Sequence, residues 1–149
     1  MKFKFAVAAL ALAVSLALPS MAAIPRGDTY PVSDILGDRK LAGRLPADIR
    51  FYFGDQPARV VSNLGDVSTL RKSGPKTSRK KPDPKGCARA MASAMIALGE
   101  QARAKGGNAV VGITTLYKGE VTASATTYRC ERGMQMVSVQ MVGQAAIVE

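Results

Sequence analysis

Histidine and tryptophan are both absent from this sequence, and aromatic residues make up only 5% of it. Without histidine there is no imidazole to act as a general base near neutral pH or to bind a metal. The carboxylates Glu100, Glu120 and Glu131 are isolated in the sequence, and we interpret them as solvated side chains. We therefore expect no catalytic residues, no metal site and no cofactor, and keep an unrecognised hydrolase only as an alternative.

The first 23 residues have the pattern of a secretory signal peptide. Lys2 and Lys4 give a positive start, an apolar run extends from Phe5 to Leu18, and Ser20-Met21-Ala22 places small residues where a signal peptidase cleaves. The apolar run is shorter than the roughly 20 residues that span a bilayer. We expect cleavage near Ala23 and a periplasmic or secreted protein without a lipoprotein cysteine; an uncleaved N-terminal anchor is the alternative.

Cysteine is scarce as well, since the chain contains only Cys87 and Cys130. An even number of cysteines in an exported chain indicates a disulfide. The two are 43 residues apart, which differs from the Cys-x-x-Cys spacing of redox sites. Closing a loop of this length stabilises a fold by about 4 kcal/mol on the chain-entropy argument.

The positive charge of the chain is concentrated in one segment. The formal net charge is +10, and residues 71–85 hold seven cations against a single acid, Asp83. Prolines, glycines and charges dominate residues 72–86, which predicts a mobile surface loop. Such a loop is either solvated without a partner or attracted to polyanions, and it lacks the aromatic side chains that stack on bases. The candidate anion-binding residues are Arg71, Lys72, Lys76, Arg79, Lys80, Lys81 and Lys85.

Residue periodicity predicts an α+β fold. A short N-terminal helix is expected near residues 34–44, followed by strands at 49–53 and 59–70 that could pair as a hairpin. Residues 87–105 are rich in alanine, methionine and leucine, and a long helix is expected there, ended by Gly106. Its apolar stripe consists of Cys87, Met91, Met95, Leu98 and Ala102, and we interpret the two methionines as core side chains rather than metal ligands.

Beyond the long helix the pattern changes to strands at 108–117, 121–130 and 134–148, separated by turns. In the last strand one face is apolar, and we expect it to be buried against the helix. Together these elements predict a single domain at 24–149, with a small antiparallel sheet of four to five strands packed on the helix at 87–105. The residues expected on the buried face are Val137, Val139, Met141, Ala145 and Ile147.

The second half of the chain carries a recognisable pattern. A helix is followed by Gly106–Ile113, with the sequence GGNAVVGI, and then by a strand that contains Tyr128-Arg129-Cys130. Over residues 87–148 this resembles the small α/β domain shared by YbjQ-type proteins and the RcsF envelope-stress sensor. The resemblance implies a long-range disulfide from the start of the helix to the Tyr-Arg-Cys strand. The chain differs from the RcsF domain in lacking cysteines for a second disulfide and a lipoprotein cysteine.

The whole chain, including Phe51–Gly54 and the long helix, is similar to small exported bacterial proteins that are often labelled an excinuclease ATPase subunit. Its residues do not match that label. A phosphate-binding loop needs Gly-x-x-x-x-Gly-Lys-Ser/Thr, so that successive backbone N–H groups surround the phosphates. The nearest stretch, Gly74–Ser78, has a proline in place of the second glycine and no leading glycine.

These observations favour binding over catalysis. Our first hypothesis is a non-enzymatic, disulfide-stapled module in envelope physiology or envelope stress, with an anionic envelope component or another envelope protein as its partner. The alternative from a different class is adhesion to polyanions, such as lipopolysaccharide, anionic lipid or DNA, through residues 71–85. We expect no sequence-specific recognition of nucleic acid and no membrane span after signal cleavage.

Overall fold

The structure is a computed structural model that describes residues 28–74 and 83–149. The predicted signal peptide lies outside these residues. The bounds of the mobile loop expected at 72–86 were too wide, because residues 72–73 belong to a strand and residues 84–86 to the long helix. The middle of this loop, residues 75–82, lies outside the described residues, so its mobility remains a prediction. Four of the seven candidate anion-binding residues also lie outside the described ranges, namely Lys76, Arg79, Lys80 and Lys81.

The α+β class is confirmed: a long helix packs on a curled sheet, and two short helices lie beside it. The long helix begins three residues earlier than predicted and ends one residue earlier. In chain order the elements are β1 (Thr29–Pro31), α1 (Ser33–Leu36), α2 (Arg39–Ala42), β2 (Arg50–Phe53), β3 (Val60–Ser73), α3 (Pro84–Ala104), β4 (Ala109–Tyr117), β5 (Glu120–Ala123), β6 (Thr127–Arg129), β7 (Glu131–Arg132) and β8 (Val137–Val148).

The start of α3 explains why the helix is longer than its apolar stripe. The Asp83 side chain accepts a hydrogen bond from the backbone N–H of Gly86 at 2.8 Å and caps the first turn. Pro84 follows at a first-turn position, where its missing N–H costs nothing. The helix ends before Gly106, whose φ of 82° is the left-handed conformation that glycine adopts without strain. The residues that begin the helix, Asp83 and Pro84, therefore precede the first residue of its apolar stripe, Cys87.

The strand pairing differs from the predicted hairpin, which was wrong. In the main sheet the strands run β2-β4-β8-β3, with β5 beside β4 and β7 beside β8. The four-residue strand β2 pairs in parallel with β4, so the sheet is mixed rather than antiparallel throughout. The 14-residue strand β3 pairs antiparallel with β8 over nearly its whole length. A long strand forms far more ladder hydrogen bonds with another long strand than with β2, which accounts for this choice.

Local side-chain hydrogen bonds divide two of the predicted elements. Asp38 accepts from the backbone N–H groups of Lys40 and Leu41, which separates α1 from α2 within the helix expected at 34–44. Ser124 Oγ accepts from the backbone N–H of Thr127 at 3.1 Å and closes a turn between β5 and β6. As a result β6 leaves the main sheet and pairs with β1. In both places an aspartate or serine side chain bonds to the backbone and so competes with the hydrogen bonds of a continuous helix or strand.

The last strand also departs from strict alternation. Residues 134–136 precede β8 instead of opening it. Ala145 and Ala146 are both buried, so the next residue points outward: Ile147 is exposed and Val148 is buried. The prediction that Ile147 faces the core was therefore wrong. The neighbouring strand β3, which is hydrogen-bonded to β8, has an irregular register between Asn63 and Gly65 at the same level.

The core lies between α3 and one face of the main sheet. All five residues of the predicted helix stripe are fully buried at 0% exposure, which confirms the core role of Met91 and Met95. Small residues bring the helix close to its neighbours: an added Cβ at Gly99 would lie 2.8 Å from Cγ of Pro46. The sheet side chains that share this core with the helix include Val110, Val137, Val139 and Met141.

The predicted disulfide is present and joins Cys87 to Cys130, with a Cα–Cα distance of 5.9 Å. Cys87 lies in the first turn of α3, and Cys130 links β6 to β7. Both cysteines are fully buried. The backbone N–H of Cys130 also donates to the carbonyl of Asp28 at 2.9 Å, so the N-terminal strand is held at the same point.

Replacing both cysteines by alanine should lower the stability by about 4 kcal/mol, because the 43-residue loop is no longer closed in the unfolded chain. For a domain of this size, that loss corresponds to a melting temperature lower by roughly 10 °C or more. Differential scanning calorimetry under oxidising conditions measures the shift. Wild-type protein that is unfolded, reduced and refolded with blocked thiols provides the control; an unchanged melt in both samples would contradict a stabilising disulfide.

Candidate anion-binding site

Three segments that carry positive charge meet at one end of the molecule. The C-terminal end of β3 pairs with the start of β8, where Lys72 lies opposite Ser138. On the other side of β8, Ser138 pairs with Glu131 of β7. The start of α3 joins this end through the Cys87–Cys130 disulfide. We call this region the basic end and define it by the described residues Arg71, Lys72, Lys85, Arg89 and Arg132.

The predicted cations that the structure describes are exposed and lie at the two ends of the basic segment. Arg71 and Lys72 begin this segment, residues 71–85, within β3, and Lys85 ends it in the first turn of α3. Within residues 28–74 and 83–149, none of these three forms an ion pair. Arg89 Nε donates to Ser73 Oγ at 3.2 Å and links the helix to the strand end. The structure therefore brings Arg71, Lys72 and Lys85 to the same end of the fold.

A partly buried polar cluster lies beside the basic end, and the sequence analysis missed it. The carboxylate of Asp28 accepts from Nε of Arg132 at 2.6 Å and from the hydroxyl of Tyr117 at 2.8 Å. Asp28 has a φ of 64°, a left-handed conformation in which aspartate is more common than most residues. The bond to Tyr117 spans 89 residues and the bond to Arg132 spans 104, so no local pattern connects them.

Arg129 gives this cluster an excess of positive charge. Only 6% of its surface is exposed, and Nε of its guanidinium has no hydrogen-bond partner among the described residues. Its guanidinium carbon lies 4.2 Å from the centre of the Tyr117 ring, and Lys118 Nζ lies 5.2 Å from that centre. The ring attracts both cations through its electron-rich face. Among the described residues, Asp28 is the carboxylate that pairs with Arg132, and neither Arg129 nor Lys118 forms an ion pair.

The buried tyrosines of the core remain uncharged near neutral pH. The rings of Tyr30 and Tyr128 lie 5.8 Å apart between their centres. Burial raises the pKa of Tyr128 well above its usual range, and burial together with the nearby Asp28 carboxylate raises the pKa of Tyr30. These hydroxyls therefore keep their protons, and the charges near the basic end come from arginine, lysine and the carboxylates.

Other grooves on the surface have different linings. A groove of about 750 Å³ lies between α1, β2 and the loop before β6, with Phe51, Phe53 and Met95 in its wall and no charged side chain. A second groove of about 570 Å³ contains Lys85 and Arg89 beside the carboxylates of α1 and α2. Among residues 28–74 and 83–149, no group of three carboxylate or thiol side chains is placed to hold a metal ion.

The sequence matches no protein-family model and no curated protein. None of the helices in the described part of the chain is long and apolar enough to cross a membrane.

Replacing Asp28 by alanine should destabilise the fold by about 1–3 kcal/mol, because Arg132 and Tyr117 both lose their hydrogen-bond acceptor. Replacing Arg129 by methionine should be close to neutral, since an apolar side chain of similar length removes a buried charge that has no carboxylate partner in the described structure. Urea denaturation measures both changes.

The matched control is Asp55→Ala, which removes an exposed carboxylate in the loop after β2. We expect this change to lie within about 0.5 kcal/mol of wild type. If Arg129→Met cost as much as Asp28→Ala, the charge of Arg129 would stabilise the fold, and the interpretation of Arg129 as uncompensated positive charge would be disproved.

Proposed function

We propose that this protein is an exported, non-enzymatic binding module, held together by its disulfide, that contacts polyanions through the basic end. One observation carries the proposal: Arg71, Lys72 and Lys85 are exposed, unpaired within the described residues, and brought together at one end of the fold. The remaining four cations of the segment are tethered between Gly74 and Asp83, whose flanking elements belong to that same end.

The chemistry of this end suits diffuse electrostatic attraction. Lysine and arginine side chains attract phosphate or carboxylate groups on a polymer or surface without requiring a fixed pose. The described residues of the basic end include no exposed aromatic side chain, which argues against stacking on bases. Binding of this kind weakens steeply with salt, because each neutralised anionic group releases a counterion.

Export is part of the proposal. A buried disulfide is consistent with folding in an oxidising compartment. When the full chain is expressed in a bacterium, we expect it in the periplasmic or culture fraction, with its first residue near Ala23 and with both thiols oxidised. Intact-mass spectrometry of the fractionated protein measures both features. Recovery of the chain from the cytoplasm with its leader intact and free thiols would overturn the export step.

A second function follows from the resemblance to the RcsF envelope-stress sensor. The observation that favours it is the bond from the cysteine at the start of α3 to the cysteine of the Tyr-Arg-Cys strand, which is the pairing that the resemblance implies. In this case the protein is an envelope-stress module, and its partner is another envelope protein. Binding to that envelope protein would then survive neutralisation of the cations in residues 71–85, whereas binding to polyanions would not.

Neutralising Lys76, Arg79, Lys80 and Lys81 to glutamine should weaken binding to heparin, used as a soluble polyanion probe, by at least tenfold at low salt. If each cation neutralises close to one anionic group, the slope of log affinity against log salt should fall by about 3. Isothermal titration calorimetry over a salt series measures both quantities.

The control variant loses four cations elsewhere, at Arg44, Arg59, Arg103 and Lys105, and so has the same net charge as the neutralised protein. Lys105 follows the C-terminal end of α3, about 30 Å from its first turn. The affinity of the control variant for heparin should fall much less than that of the variant that lacks the four cations at positions 76, 79, 80 and 81. Equal losses in both variants would mean that heparin responds to net charge alone and that the basic end is not the binding surface.

A further inference from the structure

Two exposed methionines project from the basic end. The turn between β7 and β8 contains Met134, which is 76% exposed, and Met136, which is 43% exposed. Met136 packs where the basic segment leaves the sheet, because an added Cβ at Gly74 would lie 2.9 Å from its Cγ atom. The apolar side chains and the first residues of the basic segment are therefore direct neighbours.

Charge and apolar surface are combined in the groove beside this turn. The groove has a volume of about 440 Å³, and its walls include Lys72 together with Met134 and Met136. Glu131 is the one carboxylate among its lining residues. This groove is thus amphiphilic: the Lys72 ammonium group and two exposed methionine side chains line the same depression.

A soluble polyanion accounts for the cations and leaves the methionines unexplained. Exposed thioether side chains gain nothing from a sugar or phosphate chain in water, whereas they gain free energy when an apolar phase covers them. A membrane surface with anionic headgroups offers both components, since phosphates attract the cations and the acyl region receives shallow apolar side chains. Methionine suits an irregular, fluid environment because it is unbranched and adaptable.

We propose that the basic end binds the surface of an anionic lipid membrane, with Met134 and Met136 inserted at the level of the headgroups. This inference rests on the proposed polyanion function and names the partner of that site. The described cations at the same end of the fold, Arg71, Lys72 and Lys85, then attract the lipid phosphates.

The absence of tryptophan from the chain allows a direct test. Met134→Trp introduces a single indole at the turn, and Val61→Trp introduces one at the opposite end of β3, where Val61 is 64% exposed. The protein is taken from the periplasm, so that it carries its natural N-terminus. On adding vesicles of phosphatidylcholine mixed with phosphatidylglycerol, we expect a blue shift and quenching by brominated lipid for Met134→Trp, and neither for Val61→Trp. Vesicles of phosphatidylcholine alone should have no effect on either.

Affinities provide the second measurement. Changing Met134 and Met136 together to serine should weaken vesicle binding about tenfold, in keeping with the loss of two partly inserted apolar side chains. The same variant should bind heparin as tightly as wild type. The matched control changes Val60 and Val61 to serine, which removes exposed apolar side chains at the far end of β3, and should bind vesicles normally.

The outcomes separate this inference from the function on which it rests. Heparin binding with an unshifted indole at position 134, or with vesicle affinity unchanged by the serine pair, overturns the membrane contact and leaves polyanion binding intact. Equal loss of heparin and vesicle binding in the serine variant also overturns it, because the methionines would then support the cations rather than meet lipid. Binding to neither probe by the wild-type protein overturns the proposed function itself.

Discussion

The disulfide between Cys87 and Cys130 is the constraint on which the basic end depends. The strands β6 and β7 contain three and two residues, too few to fix their own position by ladder hydrogen bonds. The bond attaches them to the first turn of α3, and a backbone hydrogen bond from Cys130 attaches the N-terminal strand as well. Residues 71–85, which carry the cations, begin in β3 and end in α3. Because the disulfide fixes the position of the start of α3, it also fixes where this segment ends.

A protein that holds positive charge in a partly buried cluster must offset its repulsion. Asp28 does so by accepting from both Arg132 and Tyr117, while the Tyr117 ring faces the guanidinium of Arg129. One carboxylate and one aromatic face cannot neutralise three cations. The excess has the same sign as the exposed basic residues nearby.

The sequence predicted those features that depend on local periodicity. The stripe from Cys87 to Ala102 recurs at helical spacing, and every member is buried because one face of a helix repeats every three or four residues. Strand pairing was predicted poorly, since the partner of β2 is β4, beyond the long helix. The Asp28 cluster was not predictable, because its members are brought together only by the completed fold. The two cysteines were an exception among distant residues, since their number alone indicated a pair.

The position of some cations at the end of β3 can be explained by the structure of the sheet alone. This strand is an edge of the main sheet, and edges commonly carry charge that discourages pairing with another chain. The amide of Gln101 bonds to both the N–H and the carbonyl of Ser68, which covers the middle of the edge, and Arg71 and Lys72 follow beyond it. Edge protection accounts for those two residues. It does not account for the five further cations that follow the strand in the sequence, nor for the two exposed methionines in the turn between β7 and β8, and the membrane contact proposed above would account for both.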